Sequence, residues 1–205
     1  MKQLFTLIAG LVVALSSHAQ VAAPDALIKS VTIEVLEIVG NDKDIQAGNS
    51  RRAMELVDAK VLPYFNFGHM TRLALGRAWR QASPAQQQAL TDEFKSLLVR
   101  TYSKALTEYR NQTIDYKPLK MQPGDTDVKV STEIKQPGGK PIQFDYSLER
   151  LDNGWQVYDI EVGGISLIAN YRNSFAAEIS RGGIDGLIQS LRAKNTSNEV
   201  ASARK

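Results

Sequence analysis

Cysteine is absent from the 205 residues. That excludes disulfides, thiol catalysis, Cys-ligated zinc or iron–sulfur centres and a lipid-anchored N-terminal Cys. Histidine is nearly absent as well, since His18 and His69 are the whole supply, and a His-based metal site lacks its partners. Charge of one sign is missing too. Lys+Arg number 25 against Asp+Glu 22, for a formal charge of +3, and no run of clustered Lys/Arg interleaves with aromatics, as nucleic-acid binding would need. No Walker loop, Gly-rich dinucleotide turn or G-x-S-x-G elbow occurs. The pairs Gly163-Gly164 and Gly182-Gly183 read as turn or helix-end glycines.

One long apolar run exists, and it is at the start. Met1-Lys2-Gln3 carries a single positive charge, Leu4–Leu15 is almost unbroken apolar sequence, and Ser17-His18-Ala19 places small residues where a signal peptidase reads. Residues 1–19 therefore read as a cleaved signal peptide, with Gln20 as the new N-terminus. A transmembrane helix needs about 20 apolar residues, and Pro24-Asp25 interrupts first. The expected location lies outside the cytoplasm. Nucleotide pools are lacking there, consistent with the missing nucleotide motifs.

What remains is 43% hydrophobic and 23% charged across the whole chain, the proportions of an ordinary globular domain. Helical spacing runs through Leu27, Ile28, Val31, Val35, Leu36 and Ile38, again over about 47–59 with Ala53, Leu56 and Val57, and over Phe65–Leu75 up to Gly76. Ser83-Pro84-Ala85-Gln86 has the form of a capping box with proline at the first helical position. The helix it opens is expected to reach Tyr109, about 26 residues and about 39 Å. Its stripe of Leu90, Phe94, Leu97, Leu98, Tyr102, Ala105, Leu106 and Tyr109 is wide enough to cover a sheet.

From Thr113 the apolar period becomes two. Ile114 and Tyr116, then Val128, Val130 and Ile134, then Ile142, Phe144, Tyr146 and Leu148 alternate with polar residues. Pro137-Gly138-Gly139 and Asp152-Asn153-Gly154 make the turns, and Trp155–Val162 is the last strand. Its parity changes midway, because Trp155 and Val157 share one face and Tyr158, Ile160 and Val162 the other. The strand is either buried on both sides or bulged, which leaves Asp159 partly buried and partnered. Ser166 is expected to cap a helix ending at Arg181-Gly182-Gly183, followed by a short helix from Ile184 to Lys194. The fold class is α+β, a four-stranded antiparallel sheet packed against several helices. It occupies one domain, 20–194, followed by a polar, disordered tail at 195–205.

Chemistry is sparse in this arrangement. His69 in an apolar helix reads as structural. Asp145 with Glu149, and Asp159 with Glu161, are carboxylate pairs of the kind acid–base enzymes use. Strand alternation alone, however, places them on a solvated face.

Larger blocks carry a resemblance. Val61-Leu62-Pro63-Tyr64-Phe65-Asn66-Phe67, Met70-Thr71-Arg72-Leu73-Ala74-Leu75-Gly76 with Trp79-Arg80, and Thr101-Tyr102-Ser103-Lys104-Ala105-Leu106 come first. Trp155-Gln156-Val157-Tyr158-Asp159-Ile160 and Gly164-Ile165-Ser166-Leu167-Ile168-Ala169-Asn170-Tyr171-Arg172 follow in order. Together they resemble the MlaC, or toluene-tolerance auxiliary, family of periplasmic phospholipid-binding proteins of the Mla (maintenance of lipid asymmetry) system. The likeness spans the mature chain to about Lys194.

The resemblance implies a non-enzymatic carrier of phospholipid between the outer and inner membranes, with acyl chains in an apolar cavity and phospholipid as cargo in place of any cofactor. It implies two docking partners: an inner-membrane ABC transporter complex presenting an MCE-domain protein, and an outer-membrane lipoprotein–porin complex. At about 0.8 kcal/mol per methylene, a chain of about 16 carbons represents about 13 kcal/mol, so a carrier must enclose the chains it holds. The residues expected to line the cavity are Leu98, Tyr102 and Leu106 of the long helix, and Val130, Ile134, Phe144, Tyr146 and Leu148 of the sheet. Leu75 and Trp79 precede the long helix; Ile165, Ile168 and Tyr171 follow the sheet. The hydroxyls of Tyr102 and Tyr146 suit a pocket mouth. Three alternatives stand beside this reading: a small periplasmic enzyme using Asp159 or Asp145 as base in an apolar pocket, an adaptor with a filled core, and a carrier of another hydrophobe such as an isoprenoid or quinone.

Overall fold

The computed structural model of the chain describes residues 22–110, 112–136 and 138–203, with side chains through Ser197. The expected signal peptide lies outside the described residues. Helices come first: α1 (Pro24–Asn41), α2 (Lys43–Gln46), α3 (Ser50–Lys60), α4 (Phe67–Leu75), α5 (Pro84–Tyr102) and α6 (Lys104–Thr107). Short polar side chains set their starts. Asp42 accepts from the N–H groups of Asp44 and Ile45, Asn49 from Arg52 N, and Asn66 from His69 N. The capping box of α5 forms, since Ser83 Oγ accepts from Gln86 N while Gln86 Oε1 accepts from Ser83 N.

The single helix expected from Pro84 to Tyr109 is divided at Ser103. There the Leu106 N–H bonds to Ser103 O at 3.0 Å, an i→i+3 closure that tightens the chain and leaves α6 as one turn.

The sheet is a meander in the order β1-β2-β3-β4-β5, every neighbouring pair antiparallel. Its strands are β1 (Thr113–Tyr116), β2 (Asp127–Lys135), β3 (Ile142–Leu151), β4 (Gly154–Val162) and β5 (Ile165–Ser166). Five strands replace the four expected, because Gly163 (φ 58°) and Gly164 (φ 82°) build a two-residue hairpin that pairs Ile165 with Val162. Positive φ at both central positions is what such a turn needs and what glycine supplies. Between Ser147 and Leu148 the register of β3 against β4 slips, leaving Tyr158 without an opposite residue. This is the bulge that the parity change predicted. It returns Ile160 and Val162 to the face of Trp155 and Val157. The far side of β4 receives Phe65, which bridges Val157, and Asn66 N donates to Val157 O at 2.9 Å.

The last helix, α7 (Leu167–Ala203), is broken once at Gly183 (φ 66°, ψ −169°), where the sequence placed a stop and a restart. It does not end at Lys194. Asn195 is buried and donates from Nδ2 to Glu93 O and Oε2, so the segment read as a disordered tail is helical through Ala203.

The buried apolar residues fall into three separate clusters. One joins α4, α5 and α7 around Phe94, Phe175, Leu90, Leu187 and Leu191. A second joins the sheet to α1 through Val128, Leu148, Val157 and Ile28. The third lies among α1, α2 and α3 around Val39, Ile45 and Ala53.

Candidate functional site

Cross-strand pairing puts the apolar strand residues on one face. Val128 lies opposite Leu148, Val130 opposite Tyr146, Ile134 opposite Ile142, and Phe144 opposite Val162. Coverage of that face is uneven. At the end holding Val128, Leu148, Trp155 and Val157 the side chains are buried, closed over by Ile28, Leu27 and Phe65. At the other end Ile114, Ile134, Phe144, Ile160 and Val162 are only half-buried, Ile142 is 37% exposed and Ile165 is 67% exposed. That end of the apolar face is less completely covered, although Thr132, opposite Phe144, is buried within it.

Tyr146 stands at the boundary. Burial pushes its phenol up from the ordinary tyrosine value, the neighbouring Thr132 hydroxyl offsetting this in part, yet its side chain is not fully covered. It packs against the buried end of the face and marks where full coverage stops. Phe144 stacks beside it with ring centroids 6.5 Å apart.

The thirteen expected lining residues do not form one shell. Val130, Ile134, Phe144, Tyr146 and Leu148 share the sheet face, but Val130 and Leu148 belong to its packed end. Leu75, Leu98 and Ile168 are buried in the helical cluster, with Trp79 and Tyr171 packed against it. Leu106 joins the α1–α3 cluster. Tyr102, at the end of α5, is 41% exposed. It stands beside Tyr171, whose pKa is pushed up to about 12 by burial first and then by the Tyr102 neighbour.

The carboxylates offered as catalytic bases are engaged structurally. Asp159 Oδ1 accepts from Ile160 N (2.8 Å) and Ile168 N (3.2 Å), and Oδ2 accepts from Ser166 Oγ (2.5 Å). Ser166 in turn accepts from Ala169 N, so the pair satisfies two free N–H groups at the start of α7. Asp145 is buried and takes Gln143 Nε2 on both oxygens. His69 ties α4 to the sheet, with Nδ1 2.7 Å from Glu149 Oε1 and its ring stacked on Tyr158 at 4.6 Å. The Tyr158 hydroxyl donates to Asp127, and burial with that carboxylate pushes its pKa to about 12. Among the described residues no group of three or more His, Cys, Asp or Glu is placed to hold a metal ion, and no helix is long and apolar enough to cross a membrane.

Two of the expected lining residues, Leu75 and Trp79, line a concavity whose arginines sequence reasoning did not single out. A groove of about 870 Å³ opens between the end of α4, the 3-10 turn Gly76–Gln81 and α7. Leu75, Trp79 and Ile179 form part of its apolar floor, and Arg72, Arg77, Arg80 and Arg172 stand around it. The sequence signal was the recurrence of arginine at 72, 77 and 80 beside apolar residues; Arg172 joins them only through the tertiary fold.

Comparison with known proteins gives this geometry its context. The chain is 27% identical over 163 residues to a toluene tolerance protein, ttg2D, of Pseudomonas putida, covering 79% of this chain and 75% of that one. It is 27% identical over 157 residues to the intermembrane phospholipid transport system binding protein MlaC of Haemophilus influenzae, covering 72% and 73%. The solved phospholipid-binding protein of Ralstonia solanacearum, in complex with a phospholipid, superposes with a TM-score of 0.81 at 43% identity, covering 87% of this chain and 99% of that one. The profile of the MlaC protein family matches residues 29–193, most of the chain and all three buried clusters apart from the first turn of α1, and the chain belongs to that family.

Proposed function

We propose that this chain is a periplasmic phospholipid carrier of the Mla pathway, holding acyl chains against the less covered end of the sheet face. The observation that carries the reading is the apolar surface from Ile134 through Phe144 and Val162 to Ile165, which alternation made apolar and which is only partly covered, Ile165 being 67% exposed. Burying it against another apolar phase is worth about 25 cal/mol per Å², and an acyl chain supplies that phase. Because chains leave one apolar medium for another, loading and release are nearly balanced, as a carrier requires. The solved relative at 43% identity is itself a phospholipid complex, which supports phospholipid over an isoprenoid or quinone.

The carrier is proposed to hydrolyse nothing. Asp159 and Asp145, the bases an enzyme would use, already hold the backbone of α7 and the Gln143 side chain. Its exchange partners are proposed to be the inner-membrane ABC transporter complex with its MCE-domain protein and the outer-membrane lipoprotein–porin complex. Native mass spectrometry of the mature protein from cells, with organic extraction of the same sample, tests the reading. Mass increments matching diacyl phospholipids are expected, and they also count the chains. Increments of a prenyl or quinone compound would replace phospholipid as cargo, and a clean apo mass under gentle conditions would end the carrier proposal.

A further inference from the structure

Several cations on this molecule are paired. Lys60 meets Glu34 at 2.6 Å, Lys129 meets Glu161 at 2.6 Å, Arg192 meets Glu93 at 3.0 Å, and Arg52 meets both Asp42 and Glu55. The groove between α4 and α7 departs from this pattern. Among the described residues no carboxylate lines it. Arg172 spends Nε and Nη2 on the Leu73 carbonyl, at 3.2 and 3.0 Å, which fixes its guanidinium at the rim with no anion satisfied. Arg72, Arg77 and Arg80 are exposed around a floor that includes Trp79 and Ile179.

Four like charges around an apolar trough cost self-repulsion in the free protein. The arrangement is complementary to something that brings carboxylates and apolar groups together. Guanidinium forks match carboxylates in two-point geometry, and arginine and tryptophan are both enriched at the energetic centres of protein interfaces. The shape narrows the choice. A bilayer presents a plane, whereas a concave trough of this volume admits a ridge of side chains from one helix or strand.

We infer that this groove is a docking site for an acidic amphipathic segment of a partner protein, its apolar side chains seated on Leu75, Trp79 and Ile179 and its carboxylates on the surrounding arginines. The site is separate from the sheet face that holds cargo in the carrier reading, so docking and lipid content can be measured independently.

The test uses the full mature chain and two fluorescently labelled synthetic helices, one of Leu and Glu in amphipathic order and one with every Glu replaced by Lys. The Leu/Glu helix should bind, weaken with added salt, and lose at least about tenfold in affinity in the Arg77→Glu/Arg80→Glu variant, as for charge-assisted contacts. That variant should gain affinity for the Leu/Lys helix. Both arginines are exposed and have no ion-pair partner among the described residues, so its thermal midpoint and co-purified lipid should match the parent. Loss of lipid would show that the groove serves the cargo and would overturn its assignment to a partner. Equal binding of the two helices, unchanged affinity in the variant, or no binding of the Leu/Glu helix would overturn it as well. Arginine-dependent retention on phosphatidylglycerol vesicles without helix binding would replace the protein segment by a membrane surface.

Discussion

At the scale of single residues, Tyr102 and Asp159 separate cargo binding from folding. Tyr102 is 41% exposed at the end of α5, beside Tyr171, so an aspartate there keeps its charge in water and costs the fold little, about 0.5 kcal/mol. If the Tyr102 hydroxyl lies at the pocket mouth, as the sequence reading expects, a carboxylate there would face the acyl chains, and an unpaired charge against hydrocarbon is strongly unfavourable. Tyr102→Asp is expected to purify folded, with its near-ultraviolet circular dichroism intact and no phospholipid extractable. Retained lipid would place the mouth of the site elsewhere. Asp159 should behave in the opposite way. Its carboxylate satisfies two N–H groups and the Ser166 hydroxyl, and leaving such donors without a partner costs about 1–3 kcal/mol. Asp159→Ala should therefore lower the unfolding free energy from urea denaturation by that amount while the lipid carried per folded molecule stays the same. A variant that keeps its stability and loses its lipid would return Asp159 to the functional site.

At the scale of elements, α7 depends on one residue to change direction. Gly183 has φ 66° and ψ −169°, a region that side-chain-bearing residues avoid at a cost of about 1–3 kcal/mol. A Cβ at this position meets no atom within 4 Å, so the penalty of Gly183→Ala is backbone strain and not a clash. We expect chemical denaturation to show a loss of about 1–3 kcal/mol with an unchanged m-value. No loss would mean that the helix straightens through 183 without consequence. The same glycine shows what was legible in the sequence: the Arg181-Gly182-Gly183 stop, the Ser83 capping box and the bulge at Tyr158 are local features, each written in a few adjacent residues. β5 escaped because two residues carry no period, although Gly163-Gly164 after an alternating strand is itself a hairpin signal. The break at Ser103 escaped because helix propensity and the apolar stripe both continue across it. The candidate site was legible in part. Alternation identified Ile134, Phe144 and Tyr146 as one face, but only tertiary packing decides that α1 and Phe65 close over Val128 and Leu148 and leave the other end open. The arginine groove was less legible still, since its members come from positions about 100 residues apart.

At the scale of the whole molecule, burial is uneven across the interior. The helical cluster around Phe94 and Phe175 and the sheet cluster around Leu148 are each well buried and share Phe65, whereas Ile134, Phe144, Ile160 and Val162 on the sheet face are only half covered. If acyl chains are the missing layer, lipid is part of the core, and its removal must destabilise the protein by linkage, about 2.7 kcal/mol when free ligand stands at about 100 times its Kd. The loss should also be local. Amide hydrogen exchange on lipid-loaded and extracted protein should quicken over Ile142–Tyr146 in β3, its partners Val130–Ile134 in β2 and the Ile160–Val162 end of β4. Protection at Val128, Leu148 and Val157 should be unchanged, because Ile28 and Phe65 still cover that end, and openings confined to one region are how partly covered elements behave. Uniform quickening would describe a cargo that stabilises the fold without filling the sheet face. Quickening confined to α4 and the first half of α7 would move the cargo to the arginine groove, where it would displace the docking segment proposed there.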